Sequence, residues 1–286
     1  MYKKRVLILG ASSALGIEVV RQLFAAGEYE LHGTHSGRGC LDPWPASMLS
    51  SVTPLDLEYR HDLEALEKGR LFAGMRFDEV FYFIGVASAG YPALQSAARE
   101  RVLNLNHVLT MQAVRAVVNH HLAPGARLTV TSSAAAWWDL EYAPGYCLAK
   151  ARLNESLNEL AGEGIAVTCW APGAIATDLW EADGIPAAVQ AAIRWLAPSP
   201  LWAVRHLLRH RLDEPSAPAR ATLILTTADA WLSYHVPGVA AVINFALSGL
   251  VEADGYFKGR ETRLTGRAMM VLPVYVPWAL VARLGG

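Results

Sequence analysis

The chain alternates between short, continuously apolar runs and longer segments in which apolar residues recur with helical spacing. The apolar runs predict strands at 5–10, 29–34, 79–85, 127–133, 165–173 and 221–227. The amphipathic segments predict helices at 14–27, 63–72, 94–119 and 146–162. Strands that are apolar throughout and separated by helices are typical of a parallel sheet covered on both faces. We therefore predict an α/β fold, a doubly wound parallel sheet of the Rossmann type.

The chain shows no internal repeat and no low-complexity linker, so we predict a single domain with an apolar C-terminal extension. The domain covers residues 1–230, and the extension covers 231–286. Asn244 and two prolines interrupt the apolar runs of the extension, which fall short of the roughly 18 residues of a membrane span. A subunit interface, a substrate lid or a peripheral membrane contact could explain the extension, and we favour an interface or a lid.

Composition narrows the class of protein. Just over half of the residues (53%) are hydrophobic and 18% are charged, which predicts a large buried core. The net charge of −1 gives no electrostatic footprint for nucleic acid. Cys40, Cys147 and Cys169 are scattered, which indicates a reducing, cytoplasmic setting without a disulfide framework. The N-terminus superficially imitates a signal peptide, but its apolar run is short and leads into a glycine turn, so a buried first strand is favoured.

The segment "LGASSALGIE" follows the first predicted strand and opens the first predicted helix. In this context a turn can bind a pyrophosphate, provided that small residues let the backbone approach and the helix N-terminus offers its N–H groups. Gly10 and Gly16 meet this requirement, whereas Ala14 stands where a middle glycine would be expected. An ordinary strand-to-helix turn remains the alternative for this segment taken alone.

Tyr146 and Lys150 lie four residues apart near the start of a predicted helix, and Ser133 lies at the end of a predicted strand. Ligands of open α/β sheets bind outside the carboxyl ends of the strands, where Ser133, Gly10 and Gly85 would meet. A free phenol has a pKa of about 10, and an ammonium one turn away lowers it towards working pH. The Ser133 hydroxyl would orient a substrate oxygen. The alternative is a surface Tyr–Lys pair without chemical function.

These landmarks together resemble the short-chain dehydrogenase/reductase family in its single-domain form. The resemblance covers residues 5 to about 180 well, and the predicted strand 221–227 more loosely. It is carried by the turn "GASSALG", Asp56 in "PLDLE", Gly85 in "FIG", Asn104 in "NLNHVL", Ser133 in "TSS", Tyr146 and Lys150 in "YCLAK", and Pro172, Gly173 and Thr177 in "APGAIAT".

The resemblance implies a catalytic set and a cofactor site. The catalytic set is Asn104, Ser133, Tyr146 and Lys150, with Asn104 holding a water that links Lys150 to solvent. The predicted cofactor-binding residues are Gly10, Ser12, Ser13, Ala14, Leu15, Gly16, Thr34, His35, Ser36, Arg38, Asp56, Leu57, Gly85, Tyr146, Lys150, Pro172, Gly173, Ile175 and Thr177. No metal is predicted, since His206 and His210 lie among arginines and are better explained by a solvated basic face than by metal binding.

The second predicted strand ends "HGTHSGR", without the acidic residue that binds a ribose 2′-hydroxyl. Thr34, His35, Ser36 and Arg38 suit a 2′-phosphate, so we favour NADP(H) over NAD(H). Three departures from the family pattern stand out: Ala14 in the turn, "YFIG" in place of the usual asparagines, and His107 in place of a glycine.

Three tryptophans lie close after predicted site residues: Trp137 and Trp138 follow Ser133, and Trp180 follows Thr177. Their indoles could line a pocket for a bulky apolar substrate, or equally belong to the core or an interface. We predict an NADP-dependent ketoreductase that converts a ketone to an alcohol or runs the reverse reaction. A non-redox enzyme on the same scaffold (a cyclase, dehydratase or epimerase) is the alternative, and a nucleotide-binding module is a third possibility. The expected partners are a small carbonyl or alcohol substrate and further copies of the chain, in a homodimer or homotetramer.

Overall fold

A computed structural model describes residues 3–37, 46–181, 185–212, 220–236, 238–273 and 275. Seven strands form one sheet among these residues: β1 (Lys4–Leu9), β2 (Tyr29–His35), β3 (Ser51–Pro54), β4 (Phe77–Tyr82), β5 (Leu122–Thr131), β6 (Ala166–Trp170) and β7 (Thr222–Ile224). The helices are α1 (Ala14–Ala26), α2 (Arg60–Glu67), α3 (Ser96–Leu103), α4 (Thr110–His120), α5 (Pro144–Gly162), α6 (Ala187–Leu196), α7 (Pro200–Leu212), α8 (Ala228–His235) and α9 (Val239–Phe257). A helical stretch over 266–273 follows α9.

The strands are all parallel and lie in the order β3-β2-β1-β4-β5-β6-β7. The chain therefore begins in the middle of the sheet, builds outwards to β3 and then crosses to β4 on the other side of β1. This reversal of strand order opens a crevice beyond the carboxyl ends of β1 and β4, where ligands of such sheets bind. The predicted doubly wound fold is confirmed.

Alternation along the strands divides the core into two layers. On β1, Val6 and Ile8 pack towards α1 and α7, whereas Leu7 and Leu9 pack towards α2, α4 and α5. All four side chains are fully buried. Because both faces of the sheet are covered, the central strands are apolar throughout, which explains why the sequence shows continuous runs rather than alternation.

Several boundaries differ from the predicted ones. The edge strand β3 lies between the predicted strand 29–34 and the predicted helix 63–72, where we predict no strand, and among the described strands it pairs only with β2. Helix α2 ends at Glu67 rather than running to residue 72, because Gly69 takes the left-handed conformation at φ 66°. The segment Asn104–Leu109, between α3 and α4, forms a π-helical turn within the predicted helix. Such a turn adds a residue to the helical repeat and shifts the face on which later side chains lie.

The described residues after β7, which run to 273 with a gap at 237 and include 275, pack against the rest of the chain. Helix α8 contacts the short helix Ala134–Trp137 that follows β5, and α8 also contacts α9. Ala253 on α9, Ala268 and Tyr275 form a small apolar cluster of their own. Within the described part of the chain, no helix has both the length and the apolar content needed to cross a bilayer.

Candidate active site

The turn between β1 and α1 is shaped by its small residues. Gly10 has φ +78°, and its N–H donates to the Thr34 hydroxyl at 3.0 Å. Ser13 caps α1 by accepting from the N–H of Gly16 at 3.1 Å. A Cβ at Gly16 would lie 2.4 Å from the carbonyl oxygen of Gly10, so no other residue fits there. The sequence pattern "GASSALG" is thus required by the close contact between its two ends.

This turn fits a phosphate group. The N–H groups of Ala14 and Leu15 belong to the first turn of α1, where a helix has no acceptors of its own. That first turn contains no acidic residue, so the helix dipole is not neutralised. Ser12, Ser13, Ala14 and Leu15 all line the crevice. Ala14 occupies the position predicted for a middle glycine, and its side chain does not close the crevice.

The crevice runs along the carboxyl edge of the sheet in three connected parts. The first, of about 300 Å³, is bounded by the ends of β2 and β3, and the second, of about 340 Å³, lies between the α1 turn, Gly85 and Tyr146. The two parts share Ser12, Ser13 and residues 83–86. The third part is an apolar cavity of about 160 Å³, which shares Tyr146 and Thr177 with the second. The arrangement accommodates a dinucleotide in the first two parts and a small apolar molecule in the third.

The structure brings nearly all predicted cofactor residues to this crevice. Gly10, Ser12, Ser13, Thr34, His35, Ser36, Asp56, Leu57 and Gly85 line the first part; Ser12, Ser13, Ala14, Leu15, Gly85, Tyr146, Lys150 and Thr177 line the second; Pro172, Gly173, Ile175 and Thr177 line the third. Gly16 lies beneath the turn, against Gly10. Arg38 lies outside the described residues.

Three of the four predicted catalytic residues meet where the second and third parts join. The hydroxyl groups of Tyr146 and Ser133 are hydrogen-bonded to each other. Ser133 also accepts from the N–H of Ala135 at 3.2 Å, which fixes its side chain at the start of a short helix. The Lys150 ammonium lies 5.7 Å from the centre of the Tyr146 ring and donates to the carbonyl of Thr131 at 3.1 Å. Two hydroxyl groups with a cation behind them therefore face the cavity.

Burial sets the protonation of this group. It raises the pKa of Tyr146 to about 12, although the hydrogen bond with Ser133 acts in the opposite direction. It lowers the pKa of Lys150 to about 8. We predicted that Lys150 would lower the pKa of the phenol, and the structure does not show this, because the loss of solvent around the hydroxyl outweighs the other influences. At neutral pH the phenol keeps its proton, and Lys150 is mostly charged.

Asn104 does not join the group, which corrects the sequence prediction. Its side chain is exposed, whereas Asn106, two residues later, is 1% exposed and lines the crevice. The Asn106 amide accepts from the N–H of Val86 at 3.1 Å and donates to the carbonyl oxygens of Val86 and Val102 at 2.8 and 2.9 Å. A Cβ at Gly85 would lie 2.8 Å from the Asn106 amide oxygen and 3.9 Å from the Lys150 ammonium. Asn106 therefore fixes the segment that follows β4, close to Lys150.

At the end of β2, Thr34 plays a different role from the predicted one. It is fully buried, and its hydroxyl accepts from Gly10, so it supports the phosphate turn rather than projecting into solvent. His35 and Ser36 remain at the surface of the first part of the crevice. The carboxylate of Glu58, which lines the same part, is bound by the Arg101 guanidinium through two contacts of 2.8 Å. Its negative charge is therefore largely balanced.

The turn at Pro172 and Gly173 is held by residues of the C-terminal part, which sequence reasoning missed. The Thr227 hydroxyl accepts from the N–H of Gly173 at 2.8 Å, and the Asp229 carboxylate accepts from the N–H of Ala174 at 3.0 Å. A Cβ at Gly173 would lie 2.1 Å from the Asp229 carboxylate. Glycine is thus required because α8 presses its acidic residue against this turn.

Gly173→Ala should destabilise the protein by about 2–3 kcal/mol, because the added methyl group must displace Asp229 or the turn. Urea unfolding followed by circular dichroism measures the loss. Gly162→Ala is the matched control, since a Cβ there meets nothing within 4 Å, and its free energy of unfolding should change little. In the double variant Gly173→Ala/Asp229→Ala the loss should be smaller than the sum of the single losses. Additive losses would contradict the proposed overlap.

Only part of the predicted tryptophan cluster lines the cavity. Trp138 and Trp180 do so, and their indole N–H groups donate to Ser233 at 2.6 Å and to the carbonyl of Ile175 at 2.8 Å. Trp137 instead packs against Tyr234, with ring centres 5.0 Å apart. The far wall comes from α9, through Asn244, Leu247, Ser248 and Val251. The extension thus takes part in forming the cavity, and the reading of it as a lid remains a prediction.

His206 and His210 lie away from this site, on α7. Their Nε2 atoms are 3.2 Å apart, and Trp202 stacks on the His206 ring. The described residues include no group of three or more side chains arranged to hold a metal ion.

A family model described as short chain dehydrogenase matches residues 4–185. No curated protein matches the chain in sequence. Among solved structures, a short-chain dehydrogenase from Streptomyces avermitilis has a TM-score of 0.65 at 20% identity, over 91% of this chain and 98% of that one.

Two further structures were solved with a nicotinamide cofactor. A short-chain dehydrogenase from Sphingobium yanoikuyae in complex with NADPH gives a TM-score of 0.63 at 22% identity, over 92% of this chain and 98% of that one. A short chain dehydrogenase/reductase from Burkholderia phymatum in complex with NAD gives 0.63 at 17% identity, over the same shares of the two chains. At such identities the likeness shows the fold alone.

Proposed function

Because this chain belongs to the short-chain dehydrogenase family of oxidoreductases, we propose that it is an NADPH-dependent reductase of an apolar ketone. The observation that carries the proposal is the hydrogen-bonded pair of Ser133 and Tyr146 hydroxyls at the junction of a dinucleotide-sized crevice and an apolar cavity. A carbonyl group bound in the cavity can reach both hydroxyls at the point where the crevice meets the cavity.

In this proposal Tyr146 donates a proton to the carbonyl oxygen. Its pKa of about 12 keeps the phenol protonated at neutral pH, which is the form that reduction needs. An alkoxide is a stronger base than a phenolate, so the transfer to a developing alkoxide is favourable. The Ser133 hydroxyl donates a second hydrogen bond to the same oxygen and stabilises its negative charge.

Lys150 and Asn106 support the proton donor. The Lys150 ammonium stabilises the phenolate left after proton transfer, and its bond to the Thr131 carbonyl sets its position. Asn106 takes the place that we had predicted for Asn104. Two of its three hydrogen bonds fix Val86 at the edge of the crevice, and the third goes to the Val102 carbonyl. Asn106 is therefore a positioning residue in this proposal.

The cofactor, when bound, supplies the hydride. The α1 turn would hold its pyrophosphate and the Pro172–Gly173 turn would lie at its nicotinamide end. We favour NADPH over NADH because the described residues at the end of β2 include no carboxylate that could bind a ribose 2′-hydroxyl. His35 and Ser36 can donate hydrogen bonds to a 2′-phosphate.

Reduction with NADPH deuterated at C4 of the nicotinamide tests the proposal. The alcohol formed from an apolar cyclic ketone should carry deuterium at the carbinol carbon, with one NADP⁺ formed per alcohol. NADPH should be preferred over NADH by at least about tenfold in kcat/KM. Product formation without oxidation of the cofactor would favour the cyclase, dehydratase or epimerase alternative. Equal kcat/KM values with NADPH and NADH would contradict the NADPH preference and leave the proposed ketone reduction intact.

A further inference from the structure

The apolar cavity contains a second hydrogen-bonding position, which is supplied by α9. Asn244 and Ser248 lie one helical turn apart, and both line the cavity beside the apolar Leu247 and Val251. Helix α9 lies beyond residues 4–185, the part of the chain that matches the family model. This wall of the cavity therefore comes from a part of the chain that the family model does not cover.

The orientation of the Asn244 amide is fixed by its neighbours. The backbone N–H of Glu141 donates to the Asn244 Oδ1 atom at 3.0 Å, and the Ser248 hydroxyl donates to the same atom at 3.2 Å. A backbone N–H can only donate, so the atom that it faces must be the amide oxygen. The NH₂ group lies on the other branch of the amide. Among the described residues, no acceptor takes either of its N–H groups.

The wall that carries Asn244 is held firmly against the rest of the cavity. Glu252, also on α9, is 5% exposed and accepts from the Arg267 guanidinium at 2.7 Å and from Thr265. Arg267 also donates to the Glu141 side chain at 2.7 Å, and the Tyr142 hydroxyl donates to Glu252 at 3.4 Å. The residue whose backbone orients Asn244 is thus tied to the same helix. The donor is held in place before any ligand arrives.

We propose that Asn244 binds a second oxygen atom of the substrate. The inference rests on the proposed ketone reduction. It defines the substrate class as an apolar, ring-sized ketone that carries a further hydrogen-bond acceptor, such as a carbonyl, ester or ether oxygen. A hydrocarbon ketone that fills the cavity displaces water from the Asn244 N–H groups and offers them no acceptor. The hydrogen bonds between Asn244 and water are lost without replacement, which weakens binding. A substrate with an acceptor at this position restores the bond. Asn244 is then a specificity-determining residue.

A matched pair of ketones tests the inference. Methyl 4-oxocyclohexanecarboxylate carries an ester where 4-sec-butylcyclohexanone carries an alkyl group of similar shape, and the 3-substituted isomers vary the distance. The measured quantity is the ratio of kcat/KM for ester and alkyl ketone, with NADPH. Asn244→Leu should lower this ratio by about 5- to 20-fold relative to wild type, since intrinsic reactivity cancels between the two enzymes.

Two further variants complete the test. Asn244→Asp retains both hydrogen bonds to Oδ1 but replaces the NH₂ donors with an acceptor, so it should also lower the ratio. This variant keeps the test decisive if Asn244→Leu does not fold. Val242→Ala, on the exposed face of α9, should leave the ratio unchanged. An unaltered ratio in both Asn244 variants overturns the inference while ketone reduction stands. If wild type reduces none of these ketones but transfers deuterium to another, the substrate class is wrong; if it transfers deuterium to no ketone, the proposed function itself fails.

Discussion

Tyr146→Phe should lower kcat for ketone reduction by about 10²- to 10⁴-fold, the range expected for loss of a positioned proton donor. Phenylalanine keeps the ring that lines the cavity and removes only the hydroxyl that is bonded to Ser133. Without it, the proton must come from water, which the apolar cavity largely excludes. Because the buried hydroxyl is replaced by a hydrogen atom in a site of the same shape, the fold should be retained.

Initial rates of NADPH oxidation with a saturating ketone measure this effect, and thermal melting verifies the fold. Tyr59→Phe is the matched control, because it removes a tyrosine hydroxyl at an exposed position before α2 and should keep kcat within about twofold. A Tyr146→Phe variant that consumes NADPH as fast as wild type would show that another group donates the proton.

Lys150→Met should abolish most of the activity and at the same time stabilise the protein. The loss, about 10²-fold or more in kcat, follows because no cation remains to stabilise the phenolate. The gain follows because Lys150 is only 4% exposed, and burial of its charge opposes folding. Methionine has a similar length and no charge. The lowered pKa of Lys150 measures the free energy that burial of its charge costs. After subtraction of the lost hydrogen bond to Thr131, the free energy of unfolding should rise by about 2–3 kcal/mol.

The stability gain should depend on pH in a defined direction. The pKa of Lys150 is about 8 in the folded chain and near 10.5 in the unfolded one. Between these values the unfolded chain binds the extra proton, so wild-type stability rises with pH. Below pH 8 both states are charged, and the full cost is present. The difference between Lys150→Met and wild type should therefore be greatest below about pH 8 and shrink as the pH rises towards 10.5.

Urea unfolding at pH 7 and at pH 9.5 measures this difference. Lys68→Met, at an exposed position after α2, is the control, and its free energy of unfolding should change by less than about 0.5 kcal/mol at either pH. A Lys150→Met variant that is less stable than wild type at pH 7 would contradict this prediction. It would show that the hydrogen bond from the ammonium to Thr131 stabilises the fold by more than burial of the charge destabilises it.

The sheet and most of the crevice follow from local signals, which explains why they could be predicted. Gly10, Gly27 and Gly173 each mark a place where the backbone turns or approaches another segment closely. The apolar runs identify buried parallel strands because both faces are covered. The short edge strand β3 was missed because it has only four residues, although Val52 and Thr53 favour strand conformation.

The identity of the asparagine depended on geometry that the sequence does not display. The motif "NLNHVL" offers Asn104 and Asn106. Both lie in the π-helical turn, and of the two only Asn106 is buried and lines the crevice. The spacing from the buried Val102 to Asn106 and Thr110 was the available signal, since these residues share one helix face. The raised pKa of Tyr146 likewise arises from solvent exclusion by distant segments, which no local pattern encodes.

The part played by Asn244 could be anticipated only in outline. It is an uncharged polar residue within an otherwise apolar run, which distinguishes it from its neighbours. Its assignment to the cavity requires knowing that α9 folds back against residues 140–143, a contact over roughly a hundred positions of sequence. Long-range contacts of this kind are where prediction from one sequence ends.

The placement of α9 has a consequence for how such an enzyme can change. The groups proposed to move the proton lie on the β5 end and on α5, whereas one wall of the cavity is built from the last third of the polypeptide. Substitutions on α9 can therefore reshape that wall of the cavity while the hydroxyls of Ser133 and Tyr146 stay where they are. New substrates are open to this chain through changes far along the polypeptide from its proton donor.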